Sequence, residues 1–347
     1  MKFNKQILIQ DIEISEQSKV FIIAEAGVNH NGDINIAREL IDIASDAQVN
    51  AVKFQSFKTE HLILKNVERA PYQKKNEGME SQFEMLKQLE ISNENNYELK
   101  EYCDEKGILF LTTPFDEVSL DGLDMINLPA YKIASTDTTN IPFLVKVAQK
   151  KKPIFLSTGM SYMSEIELAL KHIYPHNKDV ILMQCSADYP LKDEEVNLSV
   201  LNTFNKAFDI LLGYSDHSIG IGSAPYSVSM GVKVIEKHFT LDKQMKGPDH
   251  KASLSPQELK NFVKQIRKVE AYMGNPTKIP TLSEIYNRKS LQKNLVASTE
   301  IQKGEVFSLN NIIGKRTGGI GISPLYFESI LGKVADKKFK VNEIIEM

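Results

Sequence analysis

A short apolar run rich in Val, Ile and Phe is followed by a stretch with helical spacing, and the cycle recurs eight times before residue 275. The runs cover residues 20–26, 51–57, 108–114, 130–135, 153–158, 180–186, 210–215 and 232–239. Between them lie segments such as INIARELIDIASDA and MSEIELALKHI, with apolar residues three and four apart. Strands buried on both faces read as continuous apolar runs rather than alternating ones. After the eighth run comes SPQELKNFVKQIRKVEAYMG, with Pro256 at a helix start and Gly274 just past its end. Eight βα units of this size predict an α/β fold, a closed TIM (β/α)8 barrel, in preference to an open doubly wound sheet.

Two parts break the repeat. Residues 58–92, containing PYQKKNEG and the helical QFEMLKQLE, form a long insertion after the second strand. It sits on the edge of the barrel where substrates bind. Residues 275–287 hold two prolines and read as a linker. Residues 288–347 change character: KNLVASTEIQKGEVFSLNNIIGKR reads as short strands around a Lys-Gly turn. The expected layout is a barrel over 1–274, a linker over 275–287 and a small β-rich module over 288–347.

Composition narrows the function classes. Among 347 residues, 42 are basic and 45 acidic, a formal net charge of −3 that argues against a nucleic-acid or anionic-lipid partner. The apolar share of 42% is enough for a large core. Two cysteines, Cys103 and Cys185, make no disulfide framework, and a reducing cytoplasm is the natural setting. The first residues, MKFNKQILIQDIEIS, carry acids where a signal peptide needs an apolar block, and no long apolar span occurs.

Chemistry in such a barrel sits at the C-terminal strand ends. Each end here carries groups that do not belong in a core. Glu25 follows four apolar positions in FIIAEAG, and Lys53 and Gln55 share one face of AVKFQSF while Val52 and Phe54 share the other. The third strand ends in Thr112, Thr113 and Pro114. AYKIAS brings Lys132 and Ser135, the fifth strand ends in Ser157 and Thr158, and the sixth runs into CSADYP. The seventh ends in Ser215, Asp216 and His217, and the eighth carries Glu236 and His238. A lone strand lysine is commonly an edge or surface group, but Lys53 and Lys132 lie inside apolar runs.

His217 and His238 are 21 residues apart, which is no metal-ligand spacing by itself. They end neighbouring strands, however, which lie about 4.8 Å apart in a sheet. Two imidazoles there can reach one divalent ion, with carboxylates and water completing a shell that suits Mn, Mg, Zn or Fe(II). The two lysines with Thr113, Ser135, Ser157 and Ser215 form a ring of donors for a small anion bearing carboxylate and phosphate. Glu25 and Tyr189 add groups suited to sugar hydroxyls. The residues alone therefore point to a metal-assisted lyase, aldolase or synthase.

The segments AEAGVNHNGD, VKFQSFK, TTPFD, YKIAS, LSTGM, GYSDHS and IEKHFTLDKQMKGPDHKAS together resemble the sialic acid synthase family, from about residue 20 onward. The C-terminal IQKGEVFSLNNIIGKR resembles that family's antifreeze-like (SAF) domain. The resemblance implies condensation of phosphoenolpyruvate with an N-acylated mannosamine-type sugar and release of phosphate. It implies a divalent metal, typically manganese with magnesium or cobalt as substitutes, held by His217 and His238. It assigns Lys53, Thr113, Lys132, Ser135, Ser157 and Ser215 to phosphoenolpyruvate, and Glu25, Gln55, Tyr189 and Asp249 to the sugar. Asp137 stands at a substrate-binding position. Arg316 matches an arginine that reaches into a partner subunit's barrel, which implies a domain-swapped homodimer.

The chain departs from the family pattern in places. Ala134-Ser135-Thr136-Asp137 replaces GSGE, so the acid is one methylene shorter, and Lys315-Arg316-Thr317-Gly318 replaces KRPG. Ala187 stands where some members have Asn. The family resemblance leads to N-acetylneuraminate from N-acetylmannosamine. AEAGVNHNGD and APYQ resemble legionaminic acid synthases as closely, which would use 2,4-diacetamido-2,4,6-trideoxymannose. Two rivals are a Schiff-base aldolase with Lys132 as nucleophile and a non-catalytic carbohydrate- or ice-binding protein.

Overall fold

A computed structural model describes residues 1–65, 67, 81–189 and 191–346. It divides into two compact units, Met1–Gly274 and Asn275–Met347. In the first, a hairpin of β1 (Gln6–Ile9) and β2 (Ile12–Ser15) precedes eight parallel strands. These are β3 (Phe21–Gly27), β4 (Ala51–Ser56), β5 (Leu109–Pro114), β6 (Tyr131–Ile133), β7 (Ile154–Ser157), β8 (Val180–Cys185), β9 (Leu211–Asp216) and β10 (Val234–His238). They pair in the order β5-β4-β3-β10-β9-β8-β7-β6. The two ends of that order, β5 and β6, lie against one another, so the sheet is nearly closed into a barrel. Each expected strand is present, shifted by a residue or two at its ends.

The helices obey their local signals. Pro256–Met273 opens on Ser255 and Glu258 in a reciprocal capping box, with Pro256 in its first turn. It stops at Gly274, whose φ of +52° suits glycine. Between the last two barrel strands the helix is a short one, Ala224–Val228. The fourth strand is also shorter than expected. Ser135 belongs to a tight turn, Ser135–Asp137, because the Thr138 hydroxyl donates to the Ser157 carbonyl (2.6 Å) and draws the chain across.

Alternation along the strands sorts side chains into two cores. Outward positions such as Val52 and Phe54 pack against the helices. Inward positions fill the lower barrel: Phe21 and Ile23 from β3, Ala51 from β4, Leu109 and Leu111 from β5, with Phe155, Ile181, Met183 and Val234. The β1–β2 hairpin plugs this end with Ile7, Ile9 and Ile14. The hairpin was not expected, although ILIQDIEI has the alternation of one, with its turn at Gln10, where φ is +49°. Gly213 faces this core. A Cβ there would stand 2.8 Å from Met183 Cγ, so a larger residue would wedge the staves apart.

In the second unit, β11 (Lys293–Ala297) pairs antiparallel with β12 (Ile312–Arg316) over a core including Leu295, Ile301, Phe307, Ile312 and Phe339. The stretch expected to be a linker corrects in part. Residues from 282 onward form the helix Leu282–Leu291, opened by a Thr281–Glu284 capping box that two nearby prolines obscure in sequence. Among the described residues, no helix is long and apolar enough to cross a membrane. PYQKKNEG lies outside the described residues, and the rest of the insertion forms the short helices Thr59–Leu62 and Gln82–Gln88.

Candidate active site

Above the apolar layer the same inward positions turn polar. One cavity of about 510 Å³ opens there, lined by Glu25, Lys53, Gln55, Thr113, Lys132, Ser135, Ser157, Tyr189, Ser215, His217, Glu236, His238 and Asp249 among others. That is every expected site residue of the barrel except Asp137. Asp137 is buried instead in its own turn, accepting from Asn140 Nδ2 (3.0 Å) and Thr136 Oγ1 (3.3 Å). The shorter acid bonds to its own turn, and that is its visible role. Arg316 is exposed at the end of β12 in the second unit.

The floor is a buried network of four charges. Lys53 Nζ lies 2.5 Å from Glu25 Oε2 and 3.8 Å from Glu236 Oε2, and donates to Thr113 Oγ1 at 3.0 Å. Lys132 Nζ lies 3.2 Å from Glu236 Oε1, which also accepts from Ser215 Oγ at 3.0 Å. Both lysines are under 5% exposed. A charge so buried persists only when paired. Two cations against two carboxylates leave the set neutral when all are ionised.

The two acids differ in environment. Burial pushes the Glu25 carboxyl up to about 7; Lys53 pulls it back and Glu236 repels it. Gln55 Nε2 donates to its other oxygen at 3.2 Å. Glu236 is buried as deeply, but the two lysines overcome that and hold it at about 2. Near neutral pH, a protonated Glu25 leaves the floor with one net positive charge, suited to an anion. The Ser157 hydroxyl is buried with no hydrogen-bond partner among the described residues and lines the same cavity. Ser135 Oγ accepts from the Gly159 amide at 2.9 Å, which accounts for the glycine in LSTGM: a Cβ there would press on Ser135.

Glu236 is the residue that sequence reasoning underused. It was visible as a polar position in IEKHF, but only barrel closure brings it between Lys53 and Lys132, from strands that do not adjoin each other. Cys185, also unassigned, lies 3.8 Å from His217 Nδ1.

His217 and His238 stand side by side on β9 and β10, ring centroids 5.5 Å apart. Tyr189 stacks near both, at 4.1 and 5.8 Å. The Ser186 carbonyl accepts from His217 Nδ1 at 2.8 Å, and since a carbonyl can only accept, Nδ1 carries a hydrogen and Nε2 is the nitrogen that bears the lone pair when the ring is neutral. Burial keeps His238 well below the ordinary imidazole value, helped by His217 and Lys53, so the ring is neutral. Its Nδ1 is buried without a hydrogen-bond partner among the described residues. Burial lowers His217, but Cys185, the Ser186 carbonyl and Glu236 outweigh it and raise the ring above the ordinary imidazole value, so a divalent ion here would displace a proton from His217 while meeting the neutral His238. Among the described residues no set of three or more His, Cys, Asp and Glu side chains is arranged to hold one. The pair therefore suits an ion whose other positions belong to water and substrate.

Asp249 joins from the loop after β10. It keeps some surface open to the cavity but sits deep among protein atoms, and this enclosure pushes its carboxyl up to about 6 against the pull of His217. Its loop is tied to the first βα turn. Asn29 Nδ2 donates to the Phe239 carbonyl (2.8 Å) and to Ser253 Oγ (2.9 Å), and Ser253 Oγ donates to the Asp249 carbonyl (2.7 Å). His250 bridges Thr240 (2.6 Å) and Asn31 (3.2 Å).

Residues 40–278 match the model of the NeuB family. The chain is 45% identical to the N,N'-diacetyllegionaminic acid synthase of Campylobacter jejuni, over 94% of this chain and 99% of that one. It is 36% identical to the human N-acetylneuraminate-9-phosphate synthase, over 92% of this chain and 89% of that one. The crystal structure of an N-acetylneuraminic acid synthetase from Leptospira borgpetersenii, in complex with citrate, superposes with a TM-score of 0.75 at 35% identity, covering 84% of this chain and 98% of that one.

Proposed function

The chain belongs to the NeuB family, and on that premise we propose that it condenses phosphoenolpyruvate with an N-acylated mannosamine-type sugar to give a nonulosonic acid and phosphate. The observation that carries this reading is the joint cavity: a lysine-lined anion floor beneath a pair of adjacent imidazoles. Two products are in view, N-acetylneuraminate from N-acetylmannosamine and N,N'-diacetyllegionaminate from 2,4-diacetamido-2,4,6-trideoxymannose. The Campylobacter relative's name favours the second.

The residues divide the work. Lys53 and Lys132 neutralise the carboxylate and phosphate, with Thr113, Ser135, Ser157 and Ser215 supplying hydroxyls. Both lysines position rather than form covalent bonds. His217 and His238 would hold the divalent ion, manganese in our reading, which when bound acts as a Lewis acid toward the sugar aldehyde. Carbon 3 of phosphoenolpyruvate bonds to the aldehyde carbon, and the aldehyde oxygen takes a proton. Glu25, poised near neutrality, is placed to give it. Water adds at carbon 2 and returns one proton to Glu25; the carbon–oxygen bond to phosphate then breaks as the new hydroxyl gives its remaining proton to the departing phosphate, leaving the ketone. Gln55, Tyr189 and Asp249 orient the sugar.

The β-rich second unit is read as an SAF domain on its sequence resemblance alone. The same resemblance supports a homodimer in which Arg316 meets the N-acetyl carbonyl of the sugar in a partner's barrel. A cytoplasmic setting rests on the free thiols Cys103 and Cys185. The deciding experiment is phosphate release from phosphoenolpyruvate with each sugar, with and without Mn²⁺. Release that needs both sugar and metal supports the reading, and none with either sugar defeats it.

A further inference from the structure

The cavity changes character as it rises. On β4 and just beyond it, inward positions climb from Lys53 through Gln55 to Phe57; on β5 and just beyond it they climb from Thr113 to Phe115. Beside them the chain passes Glu25 and a register shift at Gly27 to reach Val28. Met85 and Leu89, from the insertion, close against Val28 and Phe57 in an apolar cluster separate from both barrel cores. Phe57 and Phe115 meet edge to face, 6.3 Å between centroids at 84°. Val28, Phe57, Met85 and Leu89 are each 5% exposed or less. Of the side chains that residues 57–89 add to the described lining, Gln82 alone is polar. Elsewhere the lining carries the polar Tyr189, His217, His238 and Asp249, with Met160, Ala187 and Pro248 among them.

A sugar held here is read differently by the two kinds of lining. Hydroxyls facing the apolar wall give up water and find no partner, whereas methyl groups gain from burial. N-acetylmannosamine carries hydroxyls at C4 and C6. A 6-deoxy sugar with a second acetamido group at C4 carries a methyl at C6 and, at C4, an amide whose far end is a methyl. We propose that Val28, Phe57, Met85, Leu89 and Phe115 form the acceptor-selecting surface, seating the methyl-bearing end of a 2,4-diacetamido-2,4,6-trideoxy sugar and disfavouring its fully hydroxylated counterpart. This rests on the reading of the cavity mouth as the acceptor site. One misplaced methyl or hydroxyl changes kcat/KM by about ten- to a hundredfold in an apolar pocket.

The test compares phosphate release with the two sugars at saturating phosphoenolpyruvate and Mn²⁺. The wild type should favour the deoxy diacetamido sugar by tenfold or more in kcat/KM. Met85→Gln, similar in size but polar, should cut that ratio about tenfold through the deoxy sugar's KM, and Met85→Leu should retain it. Leu86→Gln, at a half-buried place in the same wall, repeats the test if Met85→Gln does not fold. Equal use of both sugars, preference for N-acetylmannosamine, or a ratio unmoved by either glutamine overturns the proposal while leaving the synthase reading intact. No release with either sugar overturns both.

Discussion

Asp216 and Lys237 form an ion pair of 2.9 Å at the outer face of two neighbouring staves, both about 1% exposed, each one residue before a histidine of the candidate metal pair. They are direct partners in the β9–β10 register. Alternation points Asp216 and Lys237 outward and His217 and His238 inward. Lys237 also donates to the Ser218 carbonyl, and Asp216 accepts from Ser218, Ser223 and the Ala224 amide. The pair fixes how the two strands meet, and so where the imidazoles stand.

Lys237→Met leaves the Asp216 carboxylate buried without its cation. Removing one member of such a pair costs about 3–5 kcal/mol. The expected result is a marked fall in the urea midpoint at unchanged m-value, with Mn²⁺ binding weakened in whatever remains folded. A stability within about 0.5 kcal/mol of wild type would show that the pair does not hold the staves.

His217→Ala and His238→Ala should each abolish metal-dependent phosphate release while far-ultraviolet circular dichroism stays native. Full Mn²⁺-stimulated turnover in either variant would remove the two imidazoles from the metal site.

Lys132 rests on Glu236 at 3.2 Å. Attack on a ketone needs an amine free to reach the carbonyl, whereas Lys132 Nζ is held against a carboxylate as a charge partner. Borohydride reduction in the presence of pyruvate should leave Lys132 unmodified by mass spectrometry. A reduced adduct there would establish the Schiff-base aldolase instead.

His30 is fully buried, and burial, with His250 nearby, lowers it from 6.5 to about 4. The folded state therefore binds the proton less readily than the unfolded chain. Stability from this group is complete above pH 6.5 and drains as pH falls from 6.5 to about 4, on the order of 3 kcal/mol in total. His30→Asn keeps an acceptor for the Gly32 amide and should flatten the melting-temperature slope across that window. An unchanged slope would assign the acid sensitivity elsewhere.

Arg316→Ala should raise the KM for the sugar far more than that for phosphoenolpyruvate. Equal effects on both would contradict its assignment to the N-acetyl group.

Much of the barrel was legible because its signals are local. Apolar runs marked the staves, and Ser255, Pro256 and Gly274 marked the last helix of the first unit. Period two placed Lys53 and Gln55 on the inner face and Val52 and Phe54 on the outer, as found. Less legible were elements whose cues are weak or masked: the β1–β2 hairpin, the helix Leu282–Leu291 among prolines, and the short β6, bent away by Thr138. Asp137 aligned with a binding position, yet a shorter side chain found nearer partners in its own turn.

The sequence by itself determined which side chains face inward, because strand alternation depends on nothing beyond the strand. Only the tertiary structure decided which of them meet. Lys53 and Lys132 lie 79 residues apart on staves that do not adjoin each other, and closure of the sheet brings Glu236 between them. The same holds for Met85, which an insertion folds back over Phe57. Pairing across a barrel is set by the order and stagger of all eight strands, a long-range property that no short stretch of sequence encodes.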